Sequence, residues 1–113
     1  MSTIIRIRNS TKRIAFKWTA TTDNVTVPLD LTGMTLQMLV DTEKIESTPD
    51  VPARVATING VITSAANGQA YFPITTAITG TIQTLYFEVW VTDTNNETWP
   101  IESGTFKVSG GLK

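Results

Sequence analysis

The sequence predicts an all-β fold, an antiparallel immunoglobulin-like β-sandwich of about eight strands without a disulfide. Three observations predict it. Apolar and polar residues alternate with period two along most of the 113 residues, whereas no long window carries the i, i+3, i+4, i+7 apolar spacing of an amphipathic helix. Turn signals recur at intervals of roughly 8–12 residues. The chain holds 21 Thr and no Cys, and Thr and Val suit a pleated, half-buried surface better than a helix.

Taken in order, residues 3–8 and 13–20 read as the first two strands, the second placing Ile14, Phe16 and Trp18 on one face. Residues 21–33 read as a connection that ends in a turn at Gly33. A third strand over 34–41 aligns Leu36, Met38 and Val40. Residues 42–52 hold Pro49, Pro52 and several acids without periodicity, so they form a loop, because proline cannot sit in a paired central strand. Asn59-Gly60 between 53–58 and 61–64 carries the residue pair that a type I′ hairpin turn requires. Ala66-Asn67-Gly68 turns the chain into 69–74, with Ala70, Phe72 and Ile74 on one face. Residues 75–84 fit a single helical turn or an irregular crossover. In 84–93, Leu85, Phe87, Val89 and Val91 form one side and Tyr86, Glu88, Trp90 and Thr92 the other. Strands at 98–102 and 104–109 complete one domain over 1–109, and 110–113 reads as a flexible tail. The expected core is Ile14, Phe16, Trp18, Leu36, Met38, Val40, Phe72, Ile74, Leu85, Phe87, Val89, Val91, Phe106 and Val108.

Composition excludes much chemistry. With neither Cys nor His there is no thiolate nucleophile, no Ser-His or Cys-His pair, and no imidazole or thiolate metal site, so no cofactor or metal is expected. No apolar run reaches the ~18–20 residues of a membrane span or resembles a signal peptide. Charge is segregated. Residues 1–22 carry +5, from Arg6, Arg8, Lys12, Arg13 and Lys17, while 23–113 carry −6, leaving −1 in all. Alternation with Ile5, Ile7, Ile14, Phe16 and Trp18 assigns Arg6, Arg8, Arg13 and Lys17 to the outward faces of two early strands. That patch reads either as a solvated face protecting a sheet edge or as a contact with an acidic patch of a neighbouring subunit, around Asp41 to Asp50. The acidic balance argues against nucleic acid.

Carboxylate catalysis survives the exclusions, and Glu88 between Tyr86 and Trp90 is its candidate, but no second carboxylate is positioned for glycosidase chemistry. Asp93-Thr-Asn-Asn-Glu97 resembles a calcium loop but lacks the glycine and distal glutamate of an EF-hand, and a hairpin turn explains the same residues. Tyr86 and Trp90 face away from the core and lack an assigned cover. Trp99 depends on register: a two-residue turn pairs it with Thr92, whereas a three-residue loop pairs it with Val91 and sends it inward. Tyr86 and Trp90 are to be covered by a loop of the same chain, by another subunit, or by a ligand such as a glycan stacking on them.

The stretches Ala66-Asn-Gly-Gln-Ala-Tyr-Phe-Pro-Ile74, Leu85-Tyr-Phe-Glu-Val-Trp-Val-Thr-Asp93 with its polar turn, and Gly104-Thr-Phe-Lys-Val108 together resemble small phage virion proteins. Leu29-Asp-Leu-Thr-Gly-Met-Thr-Leu-Gln-Met38 is similar to a segment in the N-terminal domains of phage baseplate upper proteins and related single-domain tail proteins. The likeness spans about residues 13–109. It departs at Asn95-Asn96, where Gly is usual, and at 75–84, which lack a clean final Gly. The resemblance implies a non-enzymatic sandwich in a tail, baseplate, neck or capsid-decorating position, made in the host cytoplasm and carried in the virion. Other virion proteins and further copies of itself are then the expected partners, without nucleic acid or membrane; the charge and alternation described above nominate Arg6, Arg8, Arg13, Lys17, Tyr86, Trp90 and Trp99 as the contact residues. The alternative is a carbohydrate-binding module using the exposed aromatics.

Overall fold

The computed structural model describes residues 2–42 and 54–110. These form ten strands: β1 (Ser2–Ile7), β2 (Ile14–Lys17), β3 (Thr19–Thr22), β4 (Val25–Pro28), β5 (Thr35–Asp41), β6 (Arg54–Asn59), β7 (Val61–Ser64), β8 (Gln69–Phe72), β9 (Gln83–Thr92) and β10 (Thr98–Ser109). A 3₁₀ turn at Ala65–Asn67 and one helical turn, α1 (Thr76–Thr79), are the non-strand elements. The all-β expectation therefore holds. The expected loop at 42–52 and the tail at 110–113 lie almost wholly outside the described residues.

The strands make three sheets: a five-stranded sheet ordered β1-β10-β9-β5-β6, a three-stranded sheet ordered β2-β8-β7, and the ribbon β3-β4. Core residues from the two larger sheets join in one apolar cluster. Phe16 of the smaller sheet reaches Phe87 of the larger at 6.3 Å between ring centroids and stands edge-on to Phe72 at 6.0 Å. Strand alternation creates this cluster. Leu85, Phe87, Val89 and Val91 are opposed in register by Phe106 and Gly104 on one side and by Val40, Met38 and Leu36 on the other. Every residue of the expected core is buried except Phe16, which is half-buried against it; Ile4, Leu31, Ala70 and Ile78 are buried as well.

Four features differ from the sequence reading, each for a local reason. The described residues form ten strands rather than about eight, because 19–28 fold into a hairpin of their own. Asp23 (φ 52°) and Asn24 (φ 65°) both adopt the left-handed conformation that a two-residue type I′ turn demands. The sheet is not wholly antiparallel: β1 runs parallel to β10, Ile4 opposite Phe106. Asn59-Gly60 makes no hairpin, since β6 and β7 belong to different sheets. It is a corner at which a side chain on residue 60 would meet Phe72 at 2.9 Å. Lastly, residues 98–109 are one bulged strand, with the register shift between Pro100 and Glu102.

The bulge has a purpose in packing. It places Glu102 opposite core-facing Val89, where its carboxylate accepts the indole N–H of Trp18 at 3.1 Å. Trp18 is buried and stacks on Phe16 at 5.0 Å, so this hydrogen bond satisfies a donor that burial would otherwise strand.

Candidate functional site

The chemistry-bearing residues fall into three surfaces. The first is the N-terminal cation group, where the structure reverses the expected facing of β1. Arg6 lies opposite Val108 and shares the face of buried Ile4, while Ile5 and Ile7 point outward and are 61% and 55% exposed. The edge position decides this. At the open side of the sheet a long arginine can turn back over its own chain. Its guanidinium donates to the carbonyls of Ile5 (2.9 Å), Arg13 (3.2 Å) and Lys12 (3.4 Å). Arg6 therefore clamps the connection between β1 and β2, and the outward assignment made for it from alternation is corrected. Arg8 stays exposed, its backbone N–H held by the Ser109 carbonyl at 2.8 Å. Buried Thr79 of α1 secures the same connection, its hydroxyl donating to the Ser10 carbonyl at 2.7 Å.

The second surface is the outer face of the three-stranded sheet. Arg13 and Lys17 project from one side of β2 with Ala15 between them, and Ala15 lies opposite Tyr71 of β8. The Arg13 guanidinium sits 4.4 Å from the centroid of the Tyr71 ring. A cleft of about 330 Å³ runs between Arg13, Lys17, Gln69, Tyr71 and Thr63. A guanidinium held over an aromatic face can still present its N–H donors to a carboxylate. Tyr71 was not singled out from the sequence, although its alternation with Ala70 and Phe72 already placed it outward. Of the expected acidic counterpart, Asp41 is buried at 1% exposure and so belongs to the interior; Glu43 to Asp50 lie outside the described residues.

No protein-family model and no curated protein matches this chain. Its surface must be read on its own terms.

The third surface is the outer face of β9. Tyr86, Glu88 and Trp90 are all half-buried there, with Gln37 and Pro100 opposite Trp90 and Leu39 and Ser103 opposite Glu88. The indole N–H of Trp90 is buried without a hydrogen-bond acceptor among the described residues. Glu88 borders a hollow of about 330 Å³ with Pro100, Ile101, Glu102 and Ser103. The turn that follows β9 is a side-chain-capped loop, the Asp93 carboxylate accepting the backbone N–H groups of Asn95 (2.8 Å) and Glu97 (3.0 Å). Thr98 then pairs with Thr92 and Trp99 with Val91, the register of the three-residue loop. Trp99 shares the side of Val91, yet at the end of the sheet it remains 37% exposed. It stands on the opposite side from Tyr86 and Trp90, so the three aromatics do not form one stacking platform. Among the described residues, no group of three acidic side chains converges on a point where a metal ion could sit.

Proposed function

We infer that this chain is a non-enzymatic structural protein of a phage virion, an immunoglobulin-like sandwich in a tail, baseplate, neck or capsid-decorating position that acts through protein–protein contacts. One observation carries the reading. Large apolar side chains are exposed where they can touch a partner, Val25 and Val27 on the β3-β4 ribbon and Ile5 and Ile7 on an edge strand, at 49–61% exposure. Solvent-facing valine and isoleucine in pairs on projecting or edge strands are a cost to a protein that remains solitary. In an assembly the same residues become interface. The virion setting draws on the likeness of residues 29–38, 66–74, 85–93 and 104–108 to phage virion proteins.

The glycan-binding alternative has less support, because Trp99 lies across the sheet from Tyr86 and Trp90. Mass spectrometry of particles purified from a host culture carrying the gene tests the proposal. The chain is expected in the particles in fixed proportion to the other structural proteins. Expression without incorporation would overturn it.

A further inference from the structure

The hairpin β3-β4 is a two-stranded ribbon hydrogen-bonded to neither larger sheet. Thr22 lies opposite Val25 and Ala20 opposite Val27, so these four side chains share one face. On the other face Thr21 and Thr26 join their hydroxyls at 2.9 Å. Val25 is 60% and Val27 49% exposed. A lone hairpin of this length is marginal in water, and an apolar face that no described residue covers makes it more so.

A second apolar patch that no described residue covers lies toward the other end of β10. Ile5 and Ile7 face outward from β1, and Ile82, one residue before β9, is 54% exposed. The separation follows from register. The patch lies at the level of Val108, which is opposite both Arg6 and Gln83. The hairpin leaves the body at Trp18, which is bonded to Glu102, six strand residues or about 20 Å further along β10. Because β2 runs from the Arg6 level toward the Glu102 level, the hairpin continues away from the patch, and the two cannot meet within one chain.

Their charges are complementary. Residues 19–30 contain Asp23 at the hairpin tip and Asp30, and no lysine or arginine. Residues 2–13, 80–87 and 103–110 contain no acid, and the patch is bordered by exposed Arg8 and Lys107, the latter opposite Ile5.

The geometry points to a second copy of this chain as the occupant: the β3-β4 hairpin of one copy lies on the outer face of β1 in the next. Val25 and Val27 cover Ile5 and Ile7, and Asp23 approaches Arg8 and Lys107. Such a contact is heterologous, joining unlike surfaces, so it propagates head to tail into a ring or filament. A ten-residue arm covers less than the ~1,200–2,000 Å² of a standard interface. Association of free chains is therefore weak and strengthens where many copies are held together. The inference rests on the assembly reading above but fails separately from it, since incorporation into particles tests that reading and complementation between variants tests this one.

Sedimentation equilibrium over a concentration series up to about 1 mM is the experiment. Wild type is expected to form species that grow with concentration, whereas Val25→Asp/Val27→Asp and Ile5→Asp/Ile7→Asp each stay monomeric. An equimolar mixture of the two variants retains one intact hairpin and one intact patch, so it is expected to give dimers and nothing larger. Far-UV circular dichroism checks that the variants fold. Should Ile5→Asp/Ile7→Asp not fold, Lys107→Glu is expected to weaken association and Asp23→Lys in the same chain to restore it. A wild type that remains monomeric throughout, association that survives loss of the hairpin face, or a variant mixture without dimers overturns the inference.

Discussion

Gly68 shows how one residue fixes a junction. Its φ of +67° lies in the left-handed region, and its carbonyl accepts the N–H of Trp18 at 2.9 Å while its own N–H donates to Ala65 at 3.2 Å. A β-carbon there would collide with the Trp18 carbonyl oxygen and approach that of Leu29 at 2.8 Å. Gly68→Ala therefore combines backbone strain of about 1–3 kcal/mol with a clash against backbone that cannot move aside. Urea denaturation is expected to show a loss of at least that size, and a variant as stable as wild type would refute the account. The need for glycine was legible in Asn67-Gly68, a dipeptide that marks a turn. The crowding was not, because it comes from residues some fifty and forty positions earlier in the chain. Arg6 shows the opposite failure. Alternation gives a period but not its phase, and at an edge strand with isoleucine and arginine interleaved both phases are physically possible. The carbonyls of Lys12 and Arg13, invisible in the sequence, select the observed one.

At the scale of the element, the hairpin and its return show what turn chemistry can and cannot announce. Asp23-Asn24 lacks the glycine of the strongest hairpin signals, and the flanking residues are Thr and Val with little contrast between faces, so 21–33 reads as a connection. Asn59-Gly60 has the stronger signal and forms a corner instead, since Phe72 and Leu36 occupy the space at residue 60. Tertiary packing overrides local preference in both directions. Beyond the hairpin, Asp30 organises the way into β5. One carboxylate oxygen accepts the Thr32 hydroxyl at 2.6 Å and the Thr32 N–H at 2.9 Å. These bonds, the hydroxyl foremost, hold its carboxyl below the ordinary value of 3.8. A depressed folded-state pKa stabilises the fold above about pH 4 and loses that contribution as pH falls through the folded value. Asp30→Asn is expected to lower the melting temperature slightly at pH 7, with the difference from wild type shrinking below pH 4. A difference that is constant from pH 7 to pH 2 would refute it.

At the scale of the whole molecule, the two larger sheets share a single apolar cluster, so they are expected to unfold as one cooperative unit. Phe87, 1% exposed on β9, meets Phe16 across the sheets, so truncating it opens a cavity that both sheets line. Phe87→Ala is expected to cost about 3–5 kcal/mol. Near-ultraviolet signals from Trp18 and far-ultraviolet signals from the strands are expected to be lost in a single transition, and separate midpoints would contradict shared cooperativity. The core was legible in the sequence because β9 alternates throughout, β5 as far as Val40 and β10 from Gly104 to Val108, and burial follows alternation when both neighbours of a strand are present. The surface was less legible. The cleft needs Tyr71 beneath Arg13, and the two apolar patches need the hairpin to exist and β1 to face outward through Ile5 and Ile7. The cleft and the β1 patch depend on pairings distant in sequence, β2 with β8 and β1 with β10, and the hairpin on a local turn that lacks the usual glycine.

The parallel pairing of β1 with β10 also sets a timetable for synthesis. Thr3 and its partner Thr105 are 102 positions apart. At roughly 5–20 residues per second, β1 waits on the order of 5–20 s for the strand that completes its ladder. Throughout that interval Ile4, Ile5 and Ile7 belong to an unpaired β-prone segment, the kind through which nascent chains stick to one another. Arg6 and Arg8, interleaved with these isoleucines, place like charges on every copy of the unfinished strand. The mature fold then turns one of them into a clamp and leaves the other at the margin of the patch, so residues that keep half-made chains apart later shape the surface of the finished one.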